Sequence, residues 1–396
     1  MLKDFVWSFL LLFIVQKPKG YRTVKGCSLM LYINCNIETC LKRNKARRVI
    51  FFGAGQNMFF AENSRLSLLN ENVPYIVDNG KTSSARLWNR DVPIYSPDKL
   101  LEESECSVII TSAKYMSEMY AQLESLSLGD SIELYVFPFM LLEEKHPLTG
   151  IQREQIFNKG RSEVIPRIIH SFWFSGSEKP IEYQRCIDTW KKYCPGYDIR
   201  EWNLNNYDGN DHPFFKRAID VKAWAYATDY ARLDVMSRFG GIYMDMDVEL
   251  VKPLDLLLSH EGVFPFCSDG VIELAMFMAT PGNPLVKNLF KIYEELEIPE
   301  TREGFNKYYQ PLVVMQRLVE YGVLMDDSFQ EIEGNLFLPK QICMPLDYCL
   351  YELNADDDTV AIHRANAGWH EADYTKRRVG ANKAVKNKLE TIADES

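Results

Sequence analysis

Two aspartates two residues apart, in Gly240-Gly-Ile-Tyr-Met-Asp245-Met-Asp247-Val-Glu-Leu-Val251, are the residues of this chain most suited by type and spacing to chemistry. Read as one extended strand over 242–251, the side chains alternate with period two. Ile242, Met244, Met246, Val248 and Leu250 then face a core, while Tyr243, Asp245, Asp247 and Glu249 face the other way. Carboxylates sharing a face repel each other unless a proton or a cation lies between them. Their oxygens suit Mg²⁺ or Mn²⁺. Asp245 and Asp247 are therefore candidate metal ligands, and a solvated polar face on an edge strand is the alternative. A second acidic cluster, Asp356-Asp357-Asp358, follows Glu352-Leu-Asn-Ala and reads as a solvated loop.

A helix over about 216–239 must feed that strand, with Gly240-Gly241 stopping it. Val221, Trp224, Ala225, Val235, Met236 and Phe239 form its apolar side. Asp229 and Arg232 are three residues apart and so are neighbours on one face. Thr228 and Met236 continue their row, which puts the charged pair at the margin of the core. A pair placed there costs desolvation and is often kept for ligand contact. The plainer alternative is an intrahelical ion pair.

The surrounding elements give an α/β chain in two units. Residues 48–137 alternate strand and helix: strands at 48–52, 73–77, 107–111 and 132–137, with helical stretches from about 56 to 70 and 114 to 126. Such alternation implies a parallel, doubly wound, Rossmann-like sheet. Gly53-Ala-Gly55 and Asp78 stand where a dinucleotide turn and its ribose-binding acid would be, but Met58 replaces the third glycine. Residues 139–163 read as a polar, irregular linker. From Ile165 the pattern restarts, with strands at 165–174, 197–202, 242–251, 272–279, 336–338 and 359–363 and helices at 181–194, 284–297 and 311–321. The expected organisation is a leader and connecting segment at 1–46, a Rossmann-like domain at 47–138, the linker at 139–163 and a catalytic domain at 164–396.

Composition narrows the partners. In 396 residues there are 45 Lys+Arg against 55 Asp+Glu, a net charge of −10, with 46% hydrophobic residues. The hydrophobic share excludes wholesale disorder, and the acidity argues against nucleic acid. It also suits a protein that bridges itself to an anionic substrate through a divalent cation. The nine cysteines include no Cys-x-x-Cys pair, so reduced thiols in a cytosolic protein are expected. Phe5 to Val15 is an apolar run of eleven residues flanked by Lys3, Lys17 and Lys19. That is short of the ~20 residues of a spanning helix. A buried helix or frayed leader and a shallow membrane tether both remain open for it.

Four motifs in order carry a family resemblance: Ile165-Pro-Arg-Ile-Ile-His170-Ser-Phe-Trp173, Cys186-Ile-Asp-Thr-Trp190, Thr228-Asp-Tyr-Ala-Arg-Leu-Asp234 and Gly240-Gly-Ile-Tyr-Met-Asp-Met-Asp247. Over about 164–370 the chain resembles the Asp-x-Asp sugar-binding-region glycosyltransferases, glycosyltransferase family 32 of the bacterial capsular-polysaccharide type, and the catalytic part of the large clostridial glucosylating toxins. The resemblance implies a GT-A-type domain in which Asp245 and Asp247 bind Mn²⁺ or Mg²⁺ on the donor diphosphate. It also implies that Trp173 stacks on the base and that Asp229 and Arg232 grip donor-sugar hydroxyls. Tyr243 is expected beside the donor. Ala361-Ile-His363-Arg-Ala-Asn-Ala-Gly-Trp369 resembles the family's closing segment, which makes His363 a metal ligand and Trp369 a donor contact, although Gly368 replaces a serine.

The implied reaction is transfer of a hexose or N-acetylhexosamine from a UDP-sugar to a glycan or lipid-linked glycan acceptor, with retention. The implied setting is cell-surface polysaccharide synthesis in the cytoplasm, peripheral to the inner face of the cytoplasmic membrane. Two alternatives stay open: an NAD(P)-dependent oxidoreductase using the 53–80 turn, and a non-catalytic nucleotide-sugar-binding protein.

Overall fold

A computed structural model describes residues 30–80, 83–157, 162–209, 211–268, 270–365 and 372–395. The apolar run at 5–15 and Trp369 lie outside the described residues. The first half supplies β1 (Leu31–Tyr32), β2 (Val49–Phe52), β3 (Ile76–Val77), β4 (Ser84–Leu87), β5 (Arg90–Tyr95), β6 (Cys106–Ile110) and β7 (Ile132–Val136). They form one sheet in the order β1-β7-β6-β2-β3-β5-β4, parallel throughout except for the β4–β5 pair. Leaving out the edge strands β1 and β4, the order runs outward in both directions from β2, as in doubly wound sheets. The β4–β5 hairpin is absent from the sequence reading. Its turn residues Trp88 and Asn89 both have positive φ, 48° and 61°, without the Asn-Gly pair that usually announces such a turn.

The second half supplies β8 (Ile168–Phe172), β9 (Asp198–Trp202), β10 (Gly241–Met244), β11 (Val248–Leu250), β12 (Gly262–Pro265), β13 (Met276–Ala279), β14 (Gln330–Ile332), β15 (Asn335–Leu338) and β16 (Ala361–His363). Seven of them make a mixed sheet in the order β14-β15-β12-β13-β10-β8-β9. β8 runs parallel to both β9 and β10, whereas β13 is antiparallel to β10. β11 and β16 form a separate antiparallel pair.

Three expectations change here. The single helix expected over 216–239 is two, Pro213–Asp220 and Trp224–Phe239, separated where Lys222 takes a φ of 57°. The supposed irregular linker holds two helices, Phe137–Glu143 and Gly150–Ile156, the second begun by a capping box between Thr149 and Gln152. Most of its apolar residues are inside: Phe139, Met140, Leu141, Leu148 and Ile156 are buried, whereas Ile151 is exposed. Lastly, the C-terminal helix Ala372–Glu395 packs on β1 and on the helix Met116–Ser125 of the first half.

The two sheets are consequently not insulated from each other. One apolar core runs from Ile37 and Val49 through Met140 and Ile156 to Ile242 and Ala361. Another joins Val108 and Ile110 of β6 to Val385 and Leu389 of the C-terminal helix and to Cys349 and Leu350. Between the halves Lys340 Nζ donates to the Leu141 carbonyl at 2.7 Å, and Arg65 pairs with Asp326 at 3.4 Å. None of the eight described cysteines forms a disulfide.

Candidate metal and donor site

The Asp-x-Asp segment is not one strand. β10 ends at Met244, residues 245–247 turn, and the chain re-enters pairing at Val248 in β11. The Val248 N–H donates to the Asp245 carbonyl at 3.0 Å, and the Asp245 N–H donates to the Ala275 carbonyl at 2.7 Å. Both faces of β10 are buried, and the two carboxylates follow in the turn past its end. Two glycines fix the entry into β10. A Cβ on Gly240 would lie 2.5 Å from the Pro281 nitrogen, and one on Gly241 2.7 Å from the Ile168 carbonyl oxygen. Their φ values of 60° and 98° also favour glycine.

In the β11–β16 pair Val248 stands opposite His363. That register brings His363 Nε2 to 3.3 Å from Asp247 Oδ1. One ligand atom each from Asp245, Asp247 and His363 lies within 4.8 Å of the others. Two hard oxygens and one imidazole nitrogen make a donor set suited to Mn²⁺, and to Mg²⁺ through the carboxylates. The residues fit such an ion. Burial works against a charged imidazole, but Asp247, Glu273 and Asp245 outweigh it and push His363 up to about 9. A protonated His363 thus takes part of the role of a cation among these acids.

The helix Trp224–Phe239 supplies the rest. It is buried on most sides, so its charges are all matched by partners. Arg232 reaches Asp229 at 2.9 Å, Asp245 at 3.5 Å and the Leu274 carbonyl at 2.7 Å, with its guanidinium 4.6 Å from the Tyr243 ring centre. Burial pushes the Asp229 carboxyl up to about 7, opposed by Arg232 and helped by Asp245 and Glu273. Asp229 can therefore exchange donor and acceptor roles near neutrality. Burial also raises Asp245, with Asp247 adding to it and Arg232 opposing. Tyr243 departs from its expected place beside the donor. It is fully buried, packed on Phe172 and Phe277, and its hydroxyl donates to Asp245. Its part is to hold a carboxylate, not to touch a ligand.

Trp173 stands just past β8 and is half-buried. Its Nε1 donates to the Ser177 carbonyl at 2.7 Å, and its ring meets Tyr183 edge-on at 5.8 Å. Tyr183 in turn feels the charges of Asp247 and Asp245. The indole face is thus held near the acidic pair.

Two neighbours of the cluster escaped the sequence reading. Glu273 Oε2 lies 3.8 Å from His363 Nδ1, and Tyr348 O–H is 2.8 Å from both Glu273 Oε2 and His363 Nδ1. A lone acid inside the apolar run Val271–Ala279 could have flagged Glu273. Nothing local marks Tyr348. The second acidic cluster is not wholly solvated, because Asp358 accepts from Arg153 Nε at 2.9 Å and 2.8 Å through its two oxygens. It is a paired residue of the inter-unit surface, whereas Asp357 is exposed. In the first sheet, Asp78 accepts from the backbone of Ala54 and of Gly80, each at 2.7 Å. Its carboxylate closes the glycine turn.

Comparisons with known proteins bear on this region. Residues 180–264 match the family described as "Glycosyltransferase sugar-binding region containing DXD motif". The match takes in Asp229, Arg232, Asp245 and Asp247 and leaves out Trp173, Glu273, Tyr348 and His363. Inositol phosphoceramide mannosyltransferase 3 of Schizosaccharomyces pombe is 25% identical over 201 residues, 48% of this chain and 53% of that protein. An uncharacterised glycosyltransferase of Acanthamoeba polyphaga mimivirus is 29% identical over 143 residues, 32% of this chain and 55% of that protein. The chain thus spans about half the length of these curated relatives. Among solved structures, PaToxG glycosyltransferase is similar at 15% identity and a TM-score of 0.30, over 42% of this chain and 79% of that one.

Proposed function

We propose that the chain is a metal-dependent glycosyltransferase that moves a hexose or N-acetylhexosamine from a UDP-sugar to a glycan or lipid-linked glycan acceptor, with retention. The observation that carries the reading is the convergence of Asp245, Asp247 and His363 from a turn and a distant strand within 4.8 Å. The family match over 180–264 supports the same class of chemistry.

Breaking the sugar–diphosphate bond leaves extra negative charge on the leaving group. A divalent ion held by Asp245, Asp247 and His363 supplies neutralisation of that charge. The chain's own groups do the rest. Arg232, surrounded by Asp229, Asp245 and the Leu274 carbonyl, fixes Asp245 in place and keeps the carboxylates from driving each other apart. Asp229 offers a carboxyl that can donate or accept toward a sugar hydroxyl, a contact able to tighten as the sugar gains oxocarbenium character. Trp173 offers its half-exposed face to the base. Attack by the acceptor on the face that the diphosphate leaves gives retention without an enzymic nucleophile.

The printed names of relatives extend the proposal. Two of them are inositol phosphoceramide mannosyltransferases, which favours a glycolipid acceptor and makes a manno-configured hexose a donor to test. Work at the inner face of the cytoplasmic membrane, in cell-surface glycan assembly, belongs to the proposal too. No helix among the described residues is long and apolar enough to cross a membrane. The family match over 180–264 favours the transferase reading over the oxidoreductase one.

Isothermal titration with UDP and with GDP, each with and without Mn²⁺, tests the reading. Metal-dependent binding of one of them is expected, followed by hydrolysis of the matching nucleotide sugar. Absence of metal-dependent binding of either nucleotide would overturn it.

A further inference from the structure

A phenol has one proton to give. Tyr348 O–H lies 2.8 Å from the Glu273 carboxylate and 2.8 Å from His363 Nδ1. The Tyr348 O–H donates to Glu273 Oε2, so its one proton is committed to that carboxylate. The Tyr348 oxygen must then accept from Nδ1–H of His363. With the proton fixed on Nδ1, the nitrogen left facing Asp247 at 3.3 Å is Nε2. When a cation takes the place of the Nε2 proton, the imidazole held this way turns that nitrogen's lone pair toward Asp247. Histidines that bind metals commonly have the other ring nitrogen anchored by just such a partner.

The loop carrying Tyr348 is itself clamped. The Tyr348 N–H donates to Ser268 Oγ at 3.0 Å, and its carbonyl accepts from Arg378 of the C-terminal helix at 3.0 Å. Asp347 accepts from the Cys349 N–H at 3.1 Å and from that of Leu350 at 2.5 Å. Cys349 and Leu350 are buried in the core of the first sheet. Asn382 then ties the Cys349 carbonyl at 3.2 Å to that of Ala113 at 3.1 Å. The first unit therefore grips the residues next to Tyr348.

We propose, resting on the metal-site reading above, that Tyr348 and Glu273 are positioning residues that set the tautomer and aim of His363. The first sheet and the C-terminal helix act on the metal site through the loop that bears Tyr348. This gives the N-terminal unit a part in metal affinity although it supplies no ligand.

Mn²⁺ alone is the probe, titrated into the full chain by calorimetry or by its paramagnetic resonance signal, beside a melting curve for each variant. Tyr348→Phe is expected to weaken Mn²⁺ about 10- to 100-fold. Activity should recover at saturating Mn²⁺, so the apparent KM for metal moves while kcat returns. Glu273→Gln, which keeps an acceptor for the phenol, is expected to lose less. Leu350→Ala should loosen Mn²⁺ binding without touching any ligand. Wild-type Mn²⁺ affinity in a folded Tyr348→Phe protein overturns the inference. If that variant does not fold, wild-type affinity in both Glu273→Gln and Leu350→Ala does so instead. Asp247→Asn separates the two levels, because Mn²⁺ binding that survives there removes the metal site itself. Binding lost in Asp247→Asn but intact in the other three removes only the positioning roles.

Discussion

The indole Nε1 of Trp190 donates to the carbonyl of Val248 at 2.7 Å, from a fully buried ring. Val248 is the residue after Asp247 and stands opposite His363. The helix Ile181–Tyr193 therefore holds the segment that carries one metal ligand against the strand that carries another. Thr189 Oγ1 adds a second tie by accepting from the Leu250 N–H at 2.9 Å. Trp190→Phe retains most of the ring's packing but leaves a buried carbonyl without its donor. Such a loss costs about 1–3 kcal/mol. Denaturant unfolding should show that drop, and Mn²⁺ affinity should fall with it. Unchanged stability would mean that another donor replaces the indole.

Asp247→Asn should abolish Mn²⁺-dependent UDP binding and lower donor hydrolysis by several orders of magnitude. The metal-free fold should change little. Removing one of two like charges relieves repulsion, but it also takes a partner from His363 at 3.3 Å. The rise in melting temperature on adding Mn²⁺ should disappear. Asp357→Asn, in an exposed loop position, is the matched silent control. Asp358→Asn would be a poorer control, because it loosens the pairing with Arg153 and should lower stability slightly. Equal activity losses at 247 and 357 would refute the assignment.

Trp173→Ala should weaken UDP binding about tenfold or more while the fold survives, since aromatic stacking on a base is worth ~1–3 kcal/mol. The indole's half-exposure and its bond to Ser177 make it a presented face more than a core residue. Competitive titration of the wild type and the variant settles it, and equal affinities would return Trp173 to a packing role.

His170 gives a pH prediction. It is buried, its Nε2 lies 3.0 Å from the Gly240 carbonyl, and its Nδ1 accepts from Trp202 Nε1 at 3.0 Å. Burial, only partly opposed by the Gly240 carbonyl, lowers its pKa from 6.5 to about 4. Between those values the unfolded chain binds the extra proton, so stability falls as pH drops. The contribution is full above 6.5 and is lost on approach to about 4, a total on the order of 3 kcal/mol. His170→Gln keeps a donor toward Gly240 without titrating. Its stability should decline less steeply over that window in paired unfolding curves, and parallel curves would count against the buried neutral imidazole.

A fragment beginning at Ser162 should fail to fold stably. It would expose Cys349, Leu350, Val385 and Leu389, which the first sheet now covers, and it would leave Lys340 without the Leu141 carbonyl. Melting and size-exclusion chromatography of the fragment against the full chain provide the check. A monomeric fragment with an unshifted melting transition would show the halves to be independent.

Much of this was legible locally. Periodicity located most of the strands and helices, because a buried strand or an amphipathic helix writes its own pattern. The chemistry of Asp245 and Asp247 was readable from residue type and spacing, and the Asp229–Arg232 contact from helical geometry. Long-range packing decided the rest. Whether Tyr243 faces a ligand or the core depends on how Phe172 and Phe277 close over it. Where a strand breaks depends on what waits beyond Met244. The polar character of 139–163 suggested a linker, yet what matters is that Phe139, Met140, Leu141, Leu148 and Ile156 are inside. His363 carries no local mark that it will meet Asp247, and Tyr348 none that it will orient His363. Those meetings are set by the pairing of β11 with β16 and by a loop anchored in the opposite unit. The amino-acid sequence by itself determined which groups can bind a cation, since that is a property of side chains. Only the tertiary structure decided which of them share one space, because contacts between distant segments arise from packing of the whole chain.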